Sequence, residues 1–225
     1  MARYEDKFMI PLSLLRDVED FFVSDSINID KQYPSRKVNS IYYDTDDLFF
    51  AKQNSDGNGL RSKIRIRFYN NDYKNSNLEV KYKHFLVGKK LIIPLPIKDQ
   101  IPAIESIYDK IKNYSEVELH QLNNLCPRLF VSYRRKYWIS RSLPGVRITL
   151  DYNIFAKEIM GSSSLDSLFD YNVPFQDICV LEVKYDSKDN INSFKEYFQG
   201  HLGLRRSRFS KYVLGLIHTS QLSKI

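Results

Sequence analysis

Cysteine and long apolar runs are both scarce in this chain. Its 225 residues include two cysteines, Cys126 and Cys179, which are too few and too far apart for the disulfide framework of a small secreted domain. No apolar run approaches the roughly 20 residues that a membrane-spanning helix needs. The first ten residues contain four charged side chains where a signal peptide has an apolar segment. These absences predict a cytoplasmic protein that does not insert into a membrane by itself.

Two common site patterns are missing as well. Gly57-Asn58-Gly59 is not followed by the Lys and the Ser or Thr of a phosphate-binding loop. The four histidines have no spacing that is typical of metal ligands, so we expect them to be structural or exposed. The sequence therefore offers neither a P-loop nucleotide site nor a histidine metal centre.

Basic residues outnumber acidic ones. Lys and Arg total 34 against 27 for Asp and Glu, which gives a formal net charge of +7. A positively charged chain attracts anionic partners such as phosphate compounds, nucleic acid or an acidic membrane surface. Because 43% of the residues are hydrophobic and 14% are aromatic, the chain can bury a sizeable core. We predict a single domain that covers residues 1–225.

Charged side chains alternate with β-branched or aromatic ones in five stretches. Residues two apart in a strand share one face, so this alternation predicts a sheet with one apolar and one charged face. The stretches are Arg3–Lys7, Lys63–Arg67, Glu79–Lys83, Arg147–Asp151 and Glu182–Lys184. We expect the apolar face to pack outward and the charged faces to line a shared cavity. Such a cavity favours a polyanion and a divalent metal, and because the basic residues form no exposed run, we expect no nucleic-acid partner.

Periodicity and turn residues predict mainly antiparallel β structure with helices at its edges. The predicted strands are Met1–Ile10, Asn39–Tyr43, Ser62–Tyr69, Asn77–Phe85, Val87–Pro94, Arg128–Ser140, Val146–Ile154 and Ile178–Tyr185. The predicted helices are Leu12–Val23, Ile101–Lys112, Ser115–Leu125 and Ile191–His201, with a helical turn in Asp44–Lys52 and a final amphipathic segment, Phe209–Thr219.

Eight short motifs occur in an order, and at separations, that resemble one family. They are Arg3-Tyr4-Glu5-x-Lys7, Ser40-Ile41-Tyr42-Tyr43-Asp44-Thr45, Arg65-Ile66-Arg67, Leu78-Glu79-Val80-Lys81, Tyr133-x-Arg135, Arg147-Ile148-Thr149-Leu150-Asp151, Leu181-Glu182-Val183-Lys184 and Arg208-Phe209-Ser210-Lys211. Together they resemble the VTC domain, the catalytic polyphosphate polymerase domain of the vacuolar transporter chaperone complex and its bacterial relatives. That domain lies within the triphosphate tunnel metalloenzyme (CYTH-like) superfamily. The resemblance runs from Arg3 to about Gly215 and implies a mainly β (α+β) fold, a closed tunnel of eight antiparallel strands with flanking helices.

The resemblance also implies a set of site residues. Eight basic residues would contact the phosphoryl oxygens of a nucleoside triphosphate or a polyphosphate chain: Lys7, Arg65, Arg67, Lys81, Arg135, Arg147, Arg208 and Lys211. Glu182 would coordinate Mn²⁺ or Mg²⁺, with Glu5 and Glu79 as further metal or charge-balancing candidates. The implied catalytic residues are Arg65, Arg67, Lys81, Arg135, Arg147, Glu182 and Lys184. Arg3 stands where the wider superfamily has a first glutamate, which favours the VTC branch over triphosphate hydrolases with a fuller acidic set.

The implied activity is transfer of the γ-phosphate of ATP to a growing polyphosphate chain. Two alternatives stay open: an inorganic triphosphatase or tripolyphosphatase on the same fold, and a module that binds polyphosphate or inositol polyphosphates without catalysis. Fungal relatives work in a membrane complex, so attachment to the inner face of a membrane through a partner protein is also left open.

The sequence pattern alone also predicts the roles of a few further residues. Asp44 either holds a basic side chain or caps the helical turn that follows it, and Asp151 is expected to pair with a cation. Trp138 is expected to pack beneath a helix. The tyrosines at 133 and 137 are interpreted as core or cavity wall.

Overall fold

The computed structural model describes residues 4–24, 28–57, 59–84, 87–112, 124–161, 164–170, 173–175, 177–186, 192, 200 and 202–219. The strands among them are β1 (Tyr4–Pro11), β2 (Ile29–Asp44), β3 (Leu60–Tyr69), β4 (Asp72–His84), β5 (Val87–Pro94), β6 (Cys126–Ser140), β7 (Arg147–Glu158), β8 (Val173–Pro174) and β9 (Ile178–Tyr185). The α-helices are α1 (Leu15–Val23), α2 (Phe49–Ser55), α3 (Ile104–Ile111) and α4 (Lys211–His218). The prediction of a mainly β chain with helices is confirmed.

Most predicted elements are present at shifted boundaries. The first strand, the adjacent strand pairs β3–β4 and β6–β7, and the helices near residues 15, 104 and 211 all occur. The predicted strand Asn39–Tyr43 is present, but its predicted length is too short, since β2 begins ten residues earlier at Ile29. The predicted helices Ser115–Leu125 and Ile191–His201 lie almost entirely outside the described residues. Among the described helices, none is long and apolar enough to cross a membrane.

The main strands form one antiparallel sheet in the order β1-β9-β7-β6-β2-β3-β4-β5, with the short β8 paired to β7. Hydrogen bonds between the described strands leave β1 and β5 as the ends of this order and do not close it. The predicted eight-stranded antiparallel sheet is therefore confirmed, whereas its closure into a barrel is not.

Chain contacts divide the structure into two compact units. The first unit comprises residues 1–37, 133–154 and 174–210, and the second unit comprises residues 38–132, 155–173 and 211–225. Strands β2, β6, β7 and β8 contribute residues to both units. The prediction of one domain over residues 1–225 stays a prediction.

The core of the first unit lies between one face of its strands and helix α1. Alternate residues of β1, β7 and β9 supply the sheet side of this core: Phe8, Ile10, Ile148, Leu150, Leu181 and Val183. Helix α1 supplies Val18 and Phe22, which lie four residues apart and so on one helical face. The ring of Trp138 packs 5.0 Å from the ring of Phe22, which confirms the prediction that Trp138 lies beneath a helix.

The core of the second unit also lies between one face of its strands and a helix. Strands β2, β3 and β4 contribute alternate apolar residues: Ile41, Tyr43, Ile64, Ile66, Phe68, Leu78 and Val80. Ile107 and Ile111 of α3 pack against them, again from positions four residues apart. Because every second residue of these strands packs into this core, the residues between them point to the opposite face.

Asp44 organises helices α2 and α4 of the second unit. Its buried carboxylate accepts hydrogen bonds from the backbone N–H groups of Phe50 and Ala51, both at 2.9 Å, and from the hydroxyl of Tyr212 at 2.6 Å. A carboxylate that accepts the first N–H groups of a helix acts as its cap. Of the two interpretations of Asp44, the one in which it caps a helix is confirmed.

Candidate active site

The face opposite the core of the first unit carries charged residues in register on neighbouring strands. Glu5 lies opposite Lys184 and Lys7 lies opposite Glu182 across β1 and β9. Arg147 of β7 is paired with Lys184 on the other side of β9. The predicted division into an apolar and a charged face is therefore present in this unit.

Glu182 is the buried carboxylate of this face, with 7% of its surface exposed. Its oxygens lie 2.5 Å from the ammonium nitrogen of Lys184 and 3.8 Å from that of Lys7. Burial alone would raise the pKa of Glu182, but the positive charges of Lys184, Lys7 and Arg135 hold it well below its usual range. Glu182 is therefore an anion at neutral pH.

Lys7 joins two carboxylates and the backbone. Its ammonium nitrogen lies 2.7 Å from a carboxylate oxygen of Glu5 and donates a 3.4 Å hydrogen bond to the carbonyl of Phe209. Burial opposes the charge of Lys7, but Glu182 and Glu5 raise its pKa above the ordinary value. The backbone N–H of Ser207 donates to the carbonyl of Lys7 at 2.8 Å, so the chain that leads to the predicted phosphate ligand Arg208 runs along β1.

Arg135 and Asp151 form a bidentate ion pair between β6 and β7. The guanidinium nitrogens Nε and Nη2 of Arg135 donate to the two oxygens of Asp151 at 2.5 and 2.7 Å. The same guanidinium lies 5.3 Å from the centre of the Tyr133 ring, which is cation–π distance. The prediction that Asp151 pairs with a cation is confirmed, and this pairing fixes where Arg135 points.

A second cluster surrounds Glu79 in the second unit. Arg65 donates two hydrogen bonds to one carboxylate oxygen, at 2.8 and 2.6 Å, and Lys90 donates to the other at 2.8 Å. The guanidinium of Arg67 lies 3.7 Å from the first of these oxygens. Burial would raise the pKa of Glu79, but Arg65, Arg67 and Lys90 hold it well below its usual range. Both oxygens of this carboxylate are therefore occupied by cations.

Positive charge is in large excess on this face of the second unit. The pairing of β3, β4 and β5 places seven basic residues and one carboxylate on the face opposite the core, within the described residues of the paired segments. They are Arg61, Lys63, Arg65, Arg67, Lys81, Lys83, Lys90 and Glu79. One carboxylate cannot neutralise seven cations, so this face is suited to a strongly charged anion.

Tyr42 connects this cluster to helix α4. Its hydroxyl accepts a 3.0 Å hydrogen bond from Arg65, and its ring stacks on Tyr212 with 4.8 Å between the ring centres. Burial would raise the pKa of Tyr42, but the charges of Arg65 and Arg67 lower it, with a smaller contribution from Lys211. The predicted phosphate ligand Lys211 therefore belongs electrostatically to the same cluster.

The carboxylates differ in their suitability as metal ligands. Among the described residues, no group of three His, Cys, Asp or Glu side chains could hold a metal ion by itself. Glu182 and Glu5 both lie within 4 Å of the Lys7 ammonium, so two carboxylates share one small region. Mg²⁺ is commonly bound by one or two carboxylates together with substrate phosphates and water, and this pair fits such a site. Glu79 fits it less well because no second carboxylate lies on its face among the described residues of the paired strands β3, β4 and β5.

The structure groups most of the predicted site residues within one unit or the other. Glu5, Lys7, Arg135, Arg147, Glu182 and Lys184 share the charged face of the first unit, and Arg65, Arg67, Glu79 and Lys81 share that of the second. Arg208 is exposed. That all of them line one cavity stays a prediction. Lys90 was not among the predicted site residues, because Lys89 and Lys90 are adjacent and the alternating pattern is absent there.

The fold is an antiparallel sheet that carries Arg and Lys side chains on the face opposite its apolar core. A family model of the VTC domain matches residues 2–219, and the chain belongs to this family. The resemblance drawn from the eight motifs is thereby confirmed. No curated protein matches the sequence.

Solved structures share the fold at low sequence identity. The PH1819 protein of Pyrococcus horikoshii OT3 is 16% identical, with a TM-score of 0.50 over 97% of this chain and 99% of that one. A candidate adenylyl cyclase of Hippeastrum, described as having a dominant triphosphatase activity, is 15% identical, with a TM-score of 0.52 over 96% and 95% of the two chains. A candidate adenylate cyclase of Bacillus halodurans is 13% identical, with a TM-score of 0.51 over 93% and 96%.

Proposed function

We propose that this chain is a metal-dependent phosphotransferase of the polyphosphate polymerase type, which transfers the γ-phosphate of ATP to a growing polyphosphate chain. The observation that carries this proposal is the seven-to-one excess of basic residues over carboxylates on the charged face of the second unit. Membership of the VTC family supports the same chemistry. The substrates named by the proposal, ATP and polyphosphate, are chains of phosphoryl groups that such a face can bind.

The proposed reaction needs positioning and charge neutralisation more than a nucleophilic side chain. Arg65 and Arg67 would donate charge-assisted hydrogen bonds to phosphoryl oxygens, and Arg guanidinium groups can do so with two N–H groups at once. On the first unit, Lys7, Arg135 and Lys184 would donate hydrogen bonds of the same kind to a phosphoryl group that binds on that unit. The acceptor is the terminal phosphate of a second chain, which is already ionised at neutral pH. No general base is therefore required.

A divalent ion, Mn²⁺ or Mg²⁺, is part of the proposal. Glu182, with Glu5 beside it, would hold this ion, which supplies Lewis-acid polarisation of phosphoryl oxygens when bound. Glu79 would act as the counter-ion that keeps Arg65 and Arg67 in place. Lys7 lies within 4 Å of both proposed metal ligands, Glu5 and Glu182. It would therefore donate to an oxygen of the phosphoryl group that binds next to the ion.

Hydrolysis is the second candidate. The same contacts would hold a triphosphate when water is the acceptor, and the Hippeastrum protein with this fold is described as having a dominant triphosphatase activity. A binding module for polyphosphate or inositol polyphosphates is the non-catalytic alternative. Neither candidate needs a different set of basic residues, so the products of the reaction must separate them.

The deciding experiment is incubation of the protein with ATP and Mn²⁺, followed by separation of the products. Polyphosphate chains together with ADP would support the polymerase. Orthophosphate without chains would support the hydrolase, and unchanged ATP that nevertheless binds would support the binding module. Arg65→Ala serves as the control for contaminating enzymes, because activity that survives this change does not come from the proposed site. A second incubation with tripolyphosphate measures hydrolysis without a nucleoside.

A further inference from the structure

Two tyrosines and an arginine form an aromatic cluster in the first unit that the phosphate chemistry does not use. The rings of Tyr33 and Tyr137 meet edge to face, with 5.8 Å between their centres and an angle of 86° between their planes. The guanidinium carbon of Arg36 lies 5.5 Å from the centre of the Tyr33 ring and 4.9 Å from that of Tyr137. Three flat groups are therefore held together by edge-to-face and cation–π contacts.

This cluster is not part of a hydrophobic core. Tyr33 has 52% of its surface exposed, and Tyr137 is only partly buried. The neighbouring Trp138 is buried in the core of the first unit, so Tyr137 points to the opposite, charged face of β6. A half-exposed ring that is already fixed by its neighbours is a ready surface for stacking, since little conformational entropy is lost when a ligand binds.

The cluster lies beside the proposed phosphate site. Tyr137 is two residues from Arg135 on β6, so the two side chains share one face at a separation of about 6.6 Å along the strand. The Arg135–Asp151 ion pair and the hydrogen bond from the Ser140 N–H to the Val146 carbonyl set the register of the β6–β7 hairpin. Continuing this register places Tyr137 opposite Thr149 of β7, the residue that is paired with Glu182.

We propose that Tyr33, Arg36 and Tyr137 form the nucleoside subsite of the proposed phosphotransferase, on which the base of a nucleoside triphosphate stacks. The inference rests on the proposed function, because it assumes that the triphosphate occupies the charged face of the first unit. Tyrosine rings and arginine guanidinium planes are the groups on which bases stack. The subsite thus distinguishes a nucleotide from an inorganic phosphate chain.

Stacking also predicts the kind of selectivity. Every base has an aromatic face, so the cluster would accept all four nucleoside triphosphates, with larger purines binding more tightly than pyrimidines because they cover more of the rings. The cluster presents a guanidinium and two rings, so its affinity for a base would depend on the stacked area of that base more than on its hydrogen-bonding edge.

The test is calorimetric titration of ATP and, separately, of tripolyphosphate, in metal-free buffer so that neither is turned over. Tyr33→Leu removes the exposed ring and is expected to weaken ATP binding about tenfold while tripolyphosphate binding is unchanged. Tyr33→Phe keeps the ring and should bind ATP like the wild type. Tyr108→Leu removes an exposed tyrosine of α3 and is the matched control.

Each result has a separate meaning. Equal ATP affinity in the wild type and Tyr33→Leu, with intact tripolyphosphate binding, would overturn the subsite and leave the proposed function standing. Loss of ATP binding in Tyr33→Phe as well as in Tyr33→Leu would also overturn it, because the ring would then not be the contact. A wild-type protein that binds neither ligand would overturn the proposed function and the subsite with it. Because Tyr33 and Tyr108 are both exposed, all three variants should fold, which a thermal unfolding curve checks.

Discussion

Arg135 donates two hydrogen bonds to the carboxylate of Asp151, which is completely buried. The pair links adjacent strands β6 and β7 on the charged face of the first unit. Burial opposes the guanidinium charge, but Asp151, with a smaller contribution from Glu182, raises the pKa of Arg135 well above its ordinary value. Asp151 thus fixes the direction of the Arg135 side chain, and its removal tests the stability of the sheet.

Asp151→Leu should destabilise the fold by about 3–5 kcal/mol, because it leaves the partly buried Arg135 without its counter-ion. The double variant Arg135→Met/Asp151→Leu should recover much of this loss, since replacing both members of a buried pair by apolar residues is often nearly neutral. The free energy of unfolding in urea measures both. A double variant that is as unstable as the single one would show that shape, and not the unpaired charge, sets the cost.

Acid should selectively remove the stabilisation that Glu79 provides. Its pKa in the folded protein lies below the ordinary value of 4.5, so its contribution to stability is complete above that pH and is lost as the pH falls through the lower folded-state value. Glu79→Gln cannot titrate. The difference in unfolding free energy between wild type and Glu79→Gln should therefore be largest near neutral pH and shrink below about pH 4.5. A difference that stays constant down to about pH 3 would contradict the ion-pair account.

Much of this architecture could be predicted because its signal is local. Ile64, Ile66 and Phe68 alternate with Arg65 and Arg67, and that period alone assigns each residue to the core or to the charged face. The order of the eight motifs then predicted the family, which the match over residues 2–219 confirms.

Other features depend on contacts that no local pattern shows. The first part of β2, from Ile29 to Lys37, mixes Pro34 with consecutive charged residues and has no alternation, yet it pairs as a strand because neighbouring β6 offers it partners. Lys90 joins the Glu79 cluster only through the register of β4 and β5. The aromatic contact of Tyr33 and Tyr137 likewise joins residues more than a hundred positions apart.

The metal proposal predicts different outcomes for two similar carboxylates. Glu182→Gln should sharply reduce Mn²⁺-dependent turnover of ATP, because a neutral amide is a poorer ligand for a hard cation than a carboxylate, while metal-free binding of tripolyphosphate should not weaken. Glu79→Gln is the matched control, and its activity should keep the wild-type dependence on Mn²⁺ concentration. Turnover measured across a Mn²⁺ titration separates the two. If Glu79→Gln shifts that titration and Glu182→Gln does not, Glu79 and not Glu182 is the metal ligand.

Arg67→Gln and Lys211→Gln should both weaken tripolyphosphate binding, each by roughly 1.5–3 kcal/mol for the loss of one charged hydrogen-bond partner. Arg67 is 8% exposed, so its contact with a bound phosphate is poorly screened and the loss should persist when salt is added. Attraction by a solvated basic surface would instead be screened over about 8 Å at physiological ionic strength. Calorimetry at low and moderate salt measures this, with the exposed Lys112 of the Lys112–Asp109 ion pair as the control position: Lys112→Gln should change nothing at moderate salt. If both site variants match the wild type once salt is present, Arg67 and Lys211 are solvated surface charges and the phosphotransferase proposal is wrong.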